Sequence, residues 1–254
     1  MCSGVIFGDS WISEKRIKTK LLEYGSLEPP NYNLCISPHS SDSKNHVKIK
    51  LYSRGGTTWN SILKEEQRLK NWALEKPKWT LINTGACDIV NRKLVLGNQK
   101  DKNVGVEFTE IVIENLIHML NFAKNLMGTD EYKEWHKEHL FLIAQLPDWC
   151  NFIQTRQDSM NSEEYKIIRR EINHKLKLNK FRIYRETRAI LFCPPSERPI
   201  MKGVHLDRKS QEKYNDNIIR VVGKIICHKC RLSEEPNKKI IKDILQPSKC
   251  ELGL

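Results

Sequence analysis

The chain has 254 residues, 39% hydrophobic and 29% charged, with a formal net charge of +12. That length suits one large domain or two small ones with a sizeable core. No apolar run reaches the roughly 18–20 residues of a membrane span, and the first residues lack a secretory leader's pattern, so an intracellular, cytoplasmic protein is expected.

In chain order, strand-like and helix-like segments alternate. Val5–Gly8 is an apolar strand that breaks at Gly8-Asp9-Ser10. Ile12–Glu23 reads as a helix, and residues 37–45 as a polar loop. Val47–Tyr52 alternates apolar and basic residues, as a half-exposed strand does. Thr58–Leu74 has helical periodicity, with Trp59, Ile62, Leu63, Leu69 and Trp72 near one face. Trp79–Asn83 is a short apolar strand, Val106–Met127 a long amphipathic helix, and Leu140–Leu146 a strand stopped by Pro147. Ser162–Arg182 is a basic helix, Ala189–Cys193 a strand, and Ser210–Ile226 a closing helix. This rhythm predicts a parallel sheet with helices on both faces over residues 1–226, followed by a basic, cysteine-containing tail at 227–254.

A serine after the first strand is a candidate nucleophile, because ligands of open α/β sheets bind at the strands' C-terminal ends. Acyl transfer then needs a base and donors for an oxyanion. Three more loops leave strands at the same predicted edge: Gly55-Gly56-Thr57-Thr58, Gly85-Ala86-Cys87-Asp88 and Lys202-Gly203-Val204-His205-Leu206. The four together are more specific than any one of them.

Taken in order, these blocks resemble the SGNH (GDSL-type) hydrolase family across residues 4–225. The resemblance implies a flavodoxin-like three-layer α/β/α sandwich and action on an ester or acyl substrate. It implies Ser10 as nucleophile and backbone donor, Gly56 as a second oxyanion donor, and His205 as general base. Two positions depart from the family pattern. Cys87 stands where the family has an asparagine donor, and a thiol donates weakly. Lys202 stands where the family has the aspartate that orients the base. Together these departures imply a slow or atypical esterase. Asn83 or Asn91 could replace the missing amide. Asp207, two residues past His205, is a weaker replacement for the acid.

The charge suggests another reading. Residues 161–254 hold 22 Lys/Arg against 12 Asp/Glu. Lys166, Arg169, Arg170, Lys175, Lys177, Lys180, Arg182, Arg185 and Arg188 crowd one stretch, interleaved with Tyr165, Phe181 and Tyr184. Such a run could line RNA phosphates or another polyanion, with the aromatics stacking on bases; it could equally be a solvated helix whose aromatics pack inward. No glycine-rich dinucleotide or phosphate loop is present, so no cofactor is expected. Cys227, Cys230 and Cys250 lack a fourth ligand of suitable spacing, so no metal is expected there. His136 and His139, three apart on a helical segment, are expected to face solvent.

Overall fold

The computed structural model describes residues 2–9, 12, 31–35, 46–90, 103–146, 162–192, 201–202, 205–206, 209–211 and 214. Its main sheet has six strands: β1 (Cys2–Gly8), β2 (Asn31–Cys35), β3 (His46–Ser53), β4 (Trp79–Asn83), β5 (Leu140–Ala144) and β6 (Ala189–Phe192). Their order across the sheet is β2-β3-β1-β4-β5-β6. β2 runs antiparallel beside β3, and the other neighbours are parallel. Counting the parallel strands alone, the order is 2-1-3-4-5. The fold is flavodoxin-like. In this topology the chain steps from β1 to one side, then returns to the other, leaving a crevice at the strands' C-terminal ends.

β4 and β5 are buried at every residue, which explains their continuous apolar sequence. The predicted helix over Thr58–Leu74 is instead two helices, α1 (Trp59–Lys64) and α2 (Glu66–Glu75). The break falls at Glu65, whose φ of −94° and ψ of 66° are not helical. Its carboxylate is engaged by Arg68 at 2.5 Å, a local contact that replaces the straight continuation. A short α3 (Ala86–Val90) follows β4, and α4 (Val104–Met127) follows it. Asn103 caps α4 by accepting from the Val106 N–H, and the buried positions Phe108, Val112, Leu116, Met119 and Ala123 recur at helical spacing. After Gly128 comes α5 (Thr129–Glu138), then β5. The basic segment forms α6 (Ser162–Leu178) and α7 (Lys180–Thr187), separated at Asn179.

Both faces of the sheet are covered. Trp72 of α2 donates its indole N–H to Thr80 Oγ1 at 2.8 Å. Asn83 lies three positions further along β4 and so points to the opposite face. There its Oδ1 accepts from the Tyr214 hydroxyl at 2.7 Å. Residues 209–211 and Tyr214 are helical, so helix begins one residue before the predicted closing helix Ser210–Ile226. Most of that helix, most of the predicted helix 12–23, the loop 37–45 and the tail 227–254 lie outside the described residues.

The predicted solvent-facing histidines are a correction. His139 ends α5 and is fully buried. Its Nδ1 donates to the Pro77 carbonyl at 2.7 Å, and its ring lies 4.4 Å from Trp135 and 4.6 Å from Phe141, centroid to centroid. The chain turns inward there to begin β5, which carries the ring beneath the sheet. His136 is half-buried and stacked on Tyr132 at 5.2 Å. Burial, with help from the charge of Arg188, lowers its pKa.

Among the described residues no helix is long and apolar enough to cross a membrane.

Candidate active site

The C-terminal ends of β1, β3 and β4 lie side by side, since Gly8 is in register with Ser53 on one side and Asn83 on the other. The loops that follow are tied together by backbone. Asp9 N–H donates to the Asn83 carbonyl at 3.2 Å, and Arg54 N–H to the Gly8 carbonyl at 3.1 Å. Ile12 N–H returns to the Asp9 carbonyl at 3.2 Å. A side chain at Gly8 would meet Ile12 Cβ at 2.9 Å, so this tight return requires glycine. Ser10 itself lies outside the described residues. Asp9 and Ile12, on either side of it, are buried.

Residues 54–57 form a β-turn closed by Thr57 N–H to the Arg54 carbonyl at 3.3 Å. Gly56 has φ +79°, and Gly55 is not in the positive-φ region, which makes the turn type II. The third residue of such a turn spends no N–H on closing it. The Gly56 N–H is therefore not spent on closing the turn, and its nearness slightly favours the ionised form of the Cys87 thiol against the effect of burial. The turn is held against the β4 loop by Thr84 Oγ1, which donates to the Thr57 carbonyl at 2.6 Å.

The β4 loop starts at Gly85, whose φ is +119°. A methyl there would come within 2.9 Å of Phe108 and 3.0 Å of Leu146. Gly85→Ala combines backbone strain with overpacking. It is expected to destabilise the fold by on the order of 3 kcal/mol, measured as a shift in denaturant midpoint.

Burial pushes the Cys87 thiol up to about 12, aided by the nearby charges of Asp9 and Asp88 and opposed by the Gly56 N–H. It is a neutral thiol at any working pH. Asp88 is fully buried, with both carboxylate oxygens 3.2 Å from the Trp59 N–H at the start of α1. Burial raises its pKa to about 7, against the pull of the Trp59 N–H and its own backbone N–H.

His205 and Lys202 are direct partners in a second, two-stranded sheet of β7 (Met201–Lys202) and β8 (His205–Leu206). The base position and the altered acid position are therefore cross-strand neighbours. The hairpin falls in the chain between β6 and Tyr214. β6 ends at the same edge as the other parallel strands, and Tyr214 is bonded to the last residue of β4 at that edge. No local pattern announces the Tyr214 role, which depends on a contact 131 residues away. Asn83, considered as a substitute donor, has its oxygen occupied by that hydroxyl. Asn91 and Asp207 lie outside the described residues.

The basic stretch does not form one open face. Arg182 is held by Glu110 through two bonds, the longer at 2.8 Å, and by Glu186 at 3.1 Å. Tyr165 is fully buried and Tyr184 packs on the core, so neither is a stacking platform. Arg170, Arg185 and Phe181 are exposed, while Lys166, Arg169, Lys175, Lys177 and Lys180 are half-buried. Among the described residues no cluster of three or more His, Cys, Asp or Glu could hold a metal. Cys227, Cys230 and Cys250 lie outside the described residues.

Neither a protein-family model nor a curated protein matches the sequence. Solved structures do match. A lipase/acylhydrolase from Enterococcus faecalis is 15% identical with a TM-score of 0.47, over 88% of this chain and 96% of its own. The acetylxylan esterase Axe2 from Geobacillus stearothermophilus is 13% identical with a TM-score of 0.46, over 87% and 94%. LAE5, an alpha/beta hydrolase from the Lake Arreo metagenome, is 14% identical with a TM-score of 0.47, over 87% and 95%. At such identities and TM-scores the likeness adds nothing to what the strand order establishes.

Proposed function

We propose that this chain is a serine hydrolase of the SGNH type, acting slowly on an ester or acyl substrate. Ser10 Oγ adds to the carbonyl carbon while His205 takes its proton. The alcohol departs with that proton, leaving an acyl group on Ser10. Water then cleaves the acyl-enzyme, again with His205 as base, and releases the acid. The Ser10 and Gly56 backbone N–H groups stabilise the oxyanion, with the Cys87 thiol as a poor third donor.

One observation carries this reading. The ends of β1, β3 and β4 lie side by side at the topological switch point, which brings the type II turn of Gly56 and the loop of Cys87 to the edge where the chain leaves β1 for Asp9. A fluorophosphonate probe tests it. Labelling of the wild-type chain that is lost in a folded Ser10→Ala variant is expected. Absence of labelling in folded wild type, or labelling that survives Ser10→Ala, rejects the reading.

A further inference from the structure

Helices α6 and α7 bury one apolar face and carry a second apolar line on the other. Tyr165, Ile168, Ile172, Leu176 and Ile183 are buried in the core. On the opposite side Ile167, Leu178 and Phe181 are 64%, 64% and 66% exposed, the three most exposed large apolar side chains among the described residues. Arg170, His174 and Arg185 are exposed with them. These six positions follow one another at intervals of three and four residues, the spacing of a single helical face. Helical pairing runs through the junction at Asn179, whose N–H donates to the Lys175 carbonyl at 3.0 Å and whose carbonyl accepts from the Ile183 N–H at 2.9 Å. Ile167 to Arg185 therefore forms one outward ridge about 27 Å long.

Scattered exposed apolar residues need no explanation, but an aligned set does. The six positions include cations and no carboxylate. Of the acids beside them, Glu171 and Glu186 accept from the Gly105 N–H at 3.0 Å and from Arg182 at 3.1 Å. Arg185 lies a loose 3.8 Å from that Glu186 carboxylate. Lys180 Nζ stands 5.4 Å from the centre of the Phe181 ring, a further cation beside the ridge.

An occupant of this face must accept apolar side chains and cations together. A second copy brings the same cations, and each chain carries a formal net charge of +12, so two ridges repel. Nucleic acid suits the arginines and Phe181, but Ile167 and Leu178 cannot stack on bases. A partner helix is held in a groove, whereas these side chains stand out from one convex helix. A fluid anionic bilayer takes such a ridge without shape matching. The apolar side chains enter the boundary between headgroups and acyl chains, and the arginines meet the anionic headgroups. We propose that the outward face of α6 and α7 docks this protein reversibly on anionic lipid surfaces.

The full chain is sedimented with sucrose-loaded vesicles of phosphatidylcholine alone, or of phosphatidylcholine with about one-third phosphatidylserine. Wild type is expected to bind the anionic vesicles about tenfold or more tighter than the neutral ones, with affinity falling as salt is added. Arg170→Gln with Arg185→Gln should weaken that binding about thirtyfold. Ile167→Ser, Leu178→Ser and Phe181→Ser together should weaken it about a hundredfold. Thermal melts confirm that each variant is folded, as expected for exposed positions. Leu74→Ser removes an exposed apolar side chain from α2 and should change nothing. The proposal is overturned by no binding to the anionic vesicles, by equal binding to both kinds, or by binding that survives the triple substitution or falls as far in Leu74→Ser. Ridge-dependent binding to poly(U) RNA, to polyglutamate or to a second copy in light scattering, without vesicle binding, overturns it as well. Sedimentation reads no turnover, so its failure leaves the hydrolase reading standing.

Discussion

Cys87→Asn is expected to raise Ser10-dependent ester hydrolysis about 10²-fold. Cys87 follows β4 at the strand edge where the turn of Gly56 follows β3, so an amide at Cys87 would add a true N–H donor there. The thiol, with its pKa pushed up to about 12, stays neutral but donates weakly. Lys202→Asp should add to the gain, because it restores an acid at the backbone position in register with His205. An orienting aspartate is worth about 10⁴ in a serine protease triad, but gains of groups that act together do not multiply. Initial rates on p-nitrophenyl acetate decide the matter, measured for each variant with and without Ser10→Ala. An unchanged rate in Cys87→Asn, or an increase that survives Ser10→Ala, would sink the assignment of Cys87 to the oxyanion position.

Asp88→Asn is expected to change how stability varies with pH. In the folded chain the Asp88 carboxyl keeps its proton up to about pH 7, whereas its ordinary pKa is 3.8. The folded state thus binds the proton more tightly than the unfolded state. The resulting stability is fully present below about pH 4 and is lost as pH rises towards 7. A rise of that size corresponds to on the order of 4 kcal/mol. Asparagine can still accept from the Trp59 N–H and never has to ionise. The difference in unfolding free energy, variant minus wild type, should therefore move in the variant's favour by several kcal/mol between pH 4 and 8. Urea titrations across that range measure it. A difference that stays flat with pH would mean that Asp88 ionises normally in the folded chain.

Much of the fold was legible because its strands are buried on both faces. Val5–Gly8, Trp79–Asn83 and the run from Leu140 read as strands from apolar content alone. β2 was not legible: Asn31-Tyr32-Asn33-Leu34-Cys35 has two asparagines, and its strand character comes from pairing with β3. The break at Glu65 left no mark either, since the apolar spacing of α1 continues into α2. For the candidate site, the strand order anticipated that the loops after β1, β3 and β4 would leave one edge, because parallel strands send their following loops the same way. What periodicity could not reveal were contacts made across long stretches of sequence. His139 finds Pro77, Arg182 finds Glu110, and Tyr214 finds Asn83, each partner more than 60 residues away. Side chains that look exposed or available by local pattern were committed by those encounters.

The place of β1 in the middle of the sheet has a consequence for biosynthesis. Its two neighbours pair Gly4 with Ile49 on one side and with Trp79 on the other. A ribosome therefore delivers Val5-Ile6-Phe7 long before either flank exists, and the apolar strand must wait uncovered until β4 has emerged. Pairings so distant along the chain form slowly, and nascent apolar strands without partners are the segments that chaperones hold. Synthesis that stalls between β3 and β4 would leave β1 with one open edge, a template on which another chain can pair.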